Sequence, residues 1–224
     1  MKQLLVCLIA VVMTLTGSQA QESTKSKTSR WGASVFAGLN YSYPRINTGY
    51  PAHFSPHANL LAGIDVNYRL NPRASLHAQP SWTRIDKVRP DRDIYSLSPG
   101  FSITTIKIPL LYRYYILPTH RSLFVEVGVG YNQLVKSDYR EEITMECLIA
   151  PCPTYYTSNI PASNKSAISG LAGVGVNIEL HKISIPITLR YERYLSDYTF
   201  PGQYRERPAP IKFESFALTT GVNF

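Results

Sequence analysis

Five histidines, His53, His57, His77, His120 and His181, are the side chains of this 224-residue sequence most suited to acid–base chemistry. An acyl-transfer site needs one of them beside a Ser and a carboxylate. The hydroxyl must pass its proton to an imidazole that a third group holds in place. The spacing offers no such set on a face that lipid can reach. His53 and His57 fall in a long connection, His120 and His181 in short turns, and His77 on an inward face near a turn. A lipid-modifying enzyme is therefore the weakest functional reading, and no residue set calls for a cofactor or a metal. Cys147 and Cys152 enclose Leu-Ile-Ala-Pro. Two thiols without a nearby His make a poor zinc set, whereas an even pair in an exported chain reads as a disulfide closing a small loop.

Export is read from the N-terminus. Lys2 precedes an apolar run over residues 4–15, too short to span a bilayer with comfort, and Ser18 and Ala20 place small residues before a cleavage point. That is a secretory signal, and Cys7 leaves with it. The expected organisation is a signal peptide over 1–20, a polar periplasmic linker over 21–30, and one domain over 31–224. The composition, 44% hydrophobic and 17% charged with 16 Tyr, argues against disorder. After the signal, no run of about 18 apolar residues exists to form a helical span. The formal charge of +8 comes without a basic face interleaved with stacking aromatics, which argues against nucleic acid as a partner.

The elements that must position these residues are strands. Apolar residues alternate strictly over 31–41, 60–70, 75–85, 102–116, 122–134, 167–180, 183–195 and 213–224. A period of two is a strand's period. The connections run long, short, long, short, long, short, long, which is the rhythm of an up-and-down barrel with turns at one end and loops at the other. The expected fold is all-β: an eight-stranded antiparallel up-and-down transmembrane β-barrel with both termini at the turn end. Pro80, Pro109 and Pro186 fall inside strands, where locally broken pairing is expected.

The second face separates a membrane barrel from a soluble one. It carries Arg69, Lys107, Arg113 and Arg190 against Asp65, Glu126, Glu179 and Glu192, a balanced set able to form ion pairs in a narrow lumen. The apolar face ends in aromatics at two levels. Trp31, Tyr68, Tyr112, Tyr114 and Phe224 lie toward the turn end; Tyr41, Trp82, Tyr131, Tyr191 and Phe216 lie toward the loop end. Amphipathic rings at two levels suit the two interfaces of a bilayer. Arg84 and Arg193 continue the outward face at the loop-end rim, where pairing with lipopolysaccharide phosphates and ordinary snorkelling toward water are equally good readings.

The last strand alternates Phe216, Leu218, Thr220, Val222 and Phe224. It looks like the C-terminal strand by which outer-membrane barrels are read by the barrel assembly machinery. From Trp31 onward the chain resembles the small outer-membrane barrels of the Bacteroidetes PorT-like family, and its architecture is similar to that of the OmpA barrel. The resemblance is one of pattern, because this family has no short catalytic signature. It implies a bacterial outer-membrane protein. The leading expectation is a non-enzymatic structural or interaction role through the extracellular loops, with a protein partner there. The alternative is a narrow pore or a component of a transport or secretion assembly.

Overall fold

A computed structural model of the chain describes residues 30–46, 56–88, 97–116, 122–144, 154–180, 183–201 and 209–223. The expected signal, the linker up to residue 29, the cysteine pair, Phe224, His53, His120 and His181 lie outside these residues. The described strands are β1 (Trp31–Ile46), β2 (His57–Asn71), β3 (Ala74–Ala78), β4 (Ser81–Val88), β5 (Leu97–Tyr115), β6 (Leu123–Thr144), β7 (Thr154–Ile160), β8 (Ser166–Leu180), β9 (Ile183–Tyr194), β10 (Tyr198–Phe200) and β11 (Ala209–Asn223).

All pair antiparallel in one sheet, and β1 pairs with both β2 and β11, so the sheet closes on itself. β3 and β4 are two halves of one wall, since both lie between β2 and β5. The ring is thus an eight-walled up-and-down β-barrel in which each wall neighbours the next in sequence. β7 pairs with β6 above β8, and β10 pairs with β11 above β9, both toward the loop end.

The break between β3 and β4 falls at Gln79 and Pro80, but the register does not slip, with Ala78 opposite Leu110 and Ser81 opposite Lys107. Pro109 lies across the same gap. Each ring nitrogen lacks a donor, yet both carbonyls still accept: Gln79 N–H donates to Pro109 O and Ile64 N–H to Pro80 O, each at 3.1 Å. Two prolines therefore share one flaw. At Pro186 the ladder with β11 lapses between Ile187 and Ser184, while the pairing of Pro186 with Asn177 on β8 is kept.

The strands outrun the alternation seen in the sequence. β1 continues to Ile46 and β6 to Thr144, and β7 and β10 form inside segments expected to be loops. His57, expected in a connection, opens β2 opposite Ser42. The physical reason is clearest on β6. Thr104 faces Lys136 but Thr105 faces Leu134, so Val135 is an extra residue, a β-bulge. Below it the buried residues of β6 are even-numbered, Phe124 to Leu134; above it Tyr139 is buried. The bulge moves the strand's inward parity, and a strict period of two ends there although the strand does not.

Polarity divides the barrel into two tiers. From the turn end to about the level of Lys107, the outer face is apolar and the lumen mostly polar, with Leu111 and Phe124 among its apolar side chains. Above that level the lumen holds a hydrophobic cluster that includes Ile85, Phe101, Ile103, Leu134, Tyr139, Tyr194, Tyr198, Phe200, Ile211 and Phe213. Tyr139 stacks on Phe200 with centroids 5.0 Å apart, and Phe101 meets Phe213 edge-on at 5.9 Å.

Candidate functional site

Alternation on each wall sends every second side chain into a lumen just wide enough for side chains to fill. The central layer is built on Glu126. Register puts it opposite Arg113 on β5 and Gly173 on β8, and Gly173 lies opposite Arg190 on β9. The missing side chain at Gly173 lets Arg190 reach across. Arg113 Nη2 donates to Glu126 Oε2 at 2.9 Å, and Arg190 Nε donates to Oε1 at 2.7 Å. Arg190 Nη2 also donates to Gln79 Oε1 at 2.7 Å. The Arg113 guanidinium lies over the Phe124 ring, 4.0 Å from its centroid. One fully buried carboxylate thus holds two guanidiniums through separate oxygens.

Toward the loop end, Lys107 Nζ donates to Glu192 Oε2 at 2.5 Å, and Ser169 Oγ donates to Oε1 at 2.7 Å. Toward the turn end, Asp65 accepts from His77 Nδ1 at 2.8 Å, and Ser75 Oγ lies 2.8 Å from Nε2. Among the described residues, the lumen sets Lys107, Arg113 and Arg190 against Glu126 and Glu192, and places Asp65 against His77, all of them buried. Buried charges are tolerated when paired and hydrogen-bonded in this way. The space left beside Asn132, Lys107 and Glu192 is a cavity of about 20 Å³. That is room for about one water molecule.

Arg69 and Glu179, expected among the lumen ion pairs, do not join them among the described residues. They lie close to the turns, Arg69 half-buried and Glu179 exposed, where water can solvate them. Asp65 takes His77 as its partner instead.

Ser75, His77 and Asp65 have the connectivity of a catalytic triad, a set the sequence reading missed because it searched only the lipid face. The available signal was Ser75 and His77 two apart on one strand face, with Asn67 opposite His77 bringing Asp65 within reach. The geometry is that of a closed polar network rather than an exposed nucleophile. Ser75 is 3% exposed, and its Oγ lies 3.4 Å from Tyr115 Oη. An acyl group has to approach that hydroxyl, and buried packing blocks the approach.

On the outer face, the turn-end ring includes Trp31 against Tyr68 at 4.9 Å, with Tyr112 and Tyr114 exposed. The loop-end ring includes Tyr41, Trp82, Tyr131, Tyr191 and Phe216, with Tyr191 and Phe216 5.1 Å apart. Trp31 and Tyr41 are ten residues apart on one strand. At about 3.3 Å per residue and a tilt near 40°, these two residues are about 25 Å apart along the barrel axis, the height of a barrel's apolar band. Leu60, Leu110, Val127, Val129, Val174 and Leu218 are among the exposed residues between them. Hydrocarbon solvates such a belt well and water does not.

Arg84 and Arg193 both sit exposed at the loop-end rim, but on different walls, β4 and β9. Arg193 has company the sequence reading did not name: Arg45 on β1 and Lys212 on β11, all bordering one open cleft of about 650 Å³.

These features define a closed antiparallel barrel with a polar, ion-paired lumen and an apolar outer belt. No protein-family model and no curated relative matches the sequence, so the PorT-like resemblance stays one of pattern. Among solved structures, the chain is similar to small outer-membrane barrels, including these three. One is OprG of Pseudomonas aeruginosa, at 12% identity over 87% of this chain and 95% of that one, with a TM-score of 0.49. Another is the attachment invasion locus protein Ail of Yersinia pestis, at 13% over 86% and 98%, with a TM-score of 0.43. The third is Neisserial surface protein A, at 12% over 86% and 97%, with a TM-score of 0.44. The fold assignment itself rests on the hydrogen-bonded ring.

Proposed function

We propose that this chain is a non-enzymatic bacterial outer-membrane protein with a closed lumen, acting as a structural or interaction protein through its loop end. A cleaved N-terminal signal would export it, and the barrel assembly machinery would insert it through its last strand. The observation that carries this reading is the inverted polarity of the lower tier. Charged side chains meet opposite charges inside, while leucines, valines and aromatics face outward. In water that arrangement would expose the belt and desolvate the charges for no gain. In a bilayer both choices are the favourable ones.

The closed lumen argues against the pore alternative. A conducting path would have to pass the Glu126 cluster and then the apolar cluster around Phe200 and Phe213. What remains available to a partner is the loop end, where the segment between β6 and β7 carries Cys147 and Cys152. A disulfide between them would restrict that segment, and it is checked by the mass of its peptide before and after reduction.

The test of the whole reading is membrane fractionation followed by planar-bilayer recording. The protein should sediment with outer membranes, migrate faster on gels when unboiled, and give no steady conductance. Soluble fractionation would sink the membrane reading; stable unitary currents would sink the closed lumen and favour a pore. Crosslinking in native membranes then identifies any partner at the loops.

A further inference from the structure

The three walls that meet where the barrel closes, β1, β11 and β9, carry graded rows of side chains on their outer side. Register aligns Leu39, Leu218 and Leu189 in one row, then Tyr41, Phe216 and Tyr191 one step nearer the loop end. The next row is Tyr43, Glu214 and Arg193, and above it Arg45 lies beside Lys212. The leucines are each more than half exposed. The rings form a continuous shelf, with Tyr43 5.5 Å from Tyr41 and 6.5 Å from Phe216, and Phe216 5.1 Å from Tyr191.

Above the shelf, Glu214 stands between two guanidiniums. Arg45 Nη2 is 3.1 Å from its Oε2, and Arg193 Nε is 3.6 Å from its Oε1. Each contact engages one nitrogen of a group that offers five N–H donors. The guanidiniums are therefore held in place without being used up, and both remain largely exposed, 69% and 64%. Together with Lys212, Asp197, Glu214 and Leu195 they border the cleft of about 650 Å³. Three cations against two carboxylates leave it net positive by one charge, suited to an anion. A planar guanidinium fork matches a phosphate's oxygens.

We infer that this face is a binding site for a phosphorylated lipid of the outer leaflet. An acyl chain crosses the leucine row on its way into the bilayer, the lipid's interfacial region rests on the aromatic shelf, and the phosphate is held by Arg45, Arg193 and Lys212. The inference rests on the outer-membrane reading, which places the loop end at the outer leaflet. A site for a small soluble anion needs the cations alone. The apolar track running straight down from them is what selects a lipid. Glu214 positions the two guanidiniums and also limits the net charge, which disfavours indiscriminate anion binding.

The test uses the full refolded protein in zwitterionic micelles, with bound lipid counted by native mass spectrometry. The probes are a lipid A bisphosphate, the same glycolipid with its phosphates removed, and inorganic phosphate as competitor. The phosphorylated lipid should bind about tenfold or more tightly than the dephosphorylated one, the value of one lost charge-assisted contact. Millimolar phosphate should not displace it. Arg45→Ala/Arg193→Ala should lose at least about tenfold, whereas Arg140→Ala, an exposed cation on β6 paired with Asp138, should bind like the unaltered protein. The inference is overturned if the double variant keeps its affinity, if Arg140→Ala loses as much, or if inorganic phosphate competes fully, which would mark a simple anion site. Unboiled gel mobility is read on every sample. A protein that never shows the folded shift fails the barrel-in-membrane reading instead, so the two failures are told apart.

Discussion

At the level of Glu126 the wall is polar within and apolar without; farther up the same strand, at Tyr139, the inside is apolar and Lys136 and Arg140 face outward. Both tiers belong to one continuous hydrogen-bonded sheet, and β6 runs through both. On the proposed outer-membrane reading, what differs is the surrounding solvent. Beside hydrocarbon, the side chains that need charge partners have nowhere to go but inward. Beyond the bilayer, water outside restores the ordinary arrangement, and aromatic rings collect in the interior. The bulge at Val135 is where β6 changes which residues point in. The upper tier also stoppers the lower one. The lumen is therefore closed twice, by ion pairs and then by an apolar cluster, and the two closures should fail in different ways.

The largest effect is expected in the lower tier. Glu126→Ala leaves Arg113 and Arg190 facing each other without their shared carboxylate. Removing one partner from a buried ion pair costs about 3–5 kcal/mol. Urea unfolding of the refolded protein in micelles should show a loss of that size, and Glu126→Gln should recover part of it through neutral hydrogen bonds. A loss below about 1 kcal/mol would mean that water reaches the cluster, and the lower tier would no longer count as closed.

In the upper tier, Phe213→Ala removes a ring that contacts Phe101, Tyr194 and Tyr198. The expected cost is about 3 kcal/mol, from lost burial and the cavity left behind. The diagnostic is where the cost appears. Proteolysis should cut the loop end of this variant first, while the membrane-embedded ring keeps its unboiled gel mobility. If both tiers melt together at the lower denaturant concentration, they form one cooperative unit.

A third comparison uses the outer face. Val129→Lys puts a charge on the exposed belt, at a cost of about 2–3 kcal/mol near the bilayer midplane. Leu195→Lys, equally outward but above the aromatic ring and exposed, should cost less than about 0.5 kcal/mol. Equal costs at the two sites would mean that the belt does not end at the rings.

The strand walls were legible because a lower-tier wall separates two solvents at every residue, and a period of two survives wherever that holds. The lower lumen was legible in part. Arg113 and Glu126 fall at matched depths across one short turn, so their pairing follows from counting. His77 with Asp65 does not follow from balancing formal charges, because a neutral imidazole does not enter that balance. Nor could counting show that Arg69 and Glu179 stand close enough to the turns for water to satisfy them. The upper tier was hidden for a physical reason. Its apolar residues face inward, the bulge shifts the phase on β6, and β7 and β10 are too short to show a period. Segments that look irregular beside a membrane pattern can be ordinary folded structure in water.

The smallest effects come from two glycines on adjacent walls, β6 and β8, that face opposite sides of the barrel. A Cβ at Gly128, on the lumen side of β6, would run into the Leu110 carbonyl and the Leu111 Cα of the neighbouring wall. Backbone atoms cannot swing away as a long side chain does, so Gly128→Ala should cost about 1–2 kcal/mol in overpacking. At Gly170, on the outward face of β8, a Cβ meets nothing within 4 Å. There Gly170→Ala should change stability by less than about 0.5 kcal/mol, and the narrower unfolded ensemble of Ala offsets any slight cost. The two values, read from one set of urea titrations, measure how crowded each side of the wall is without touching a charge. If Gly128→Ala is as silent as Gly170→Ala, the lower lumen has slack, and the tight closure drawn from the Glu126 cluster fails at the level of the wall itself.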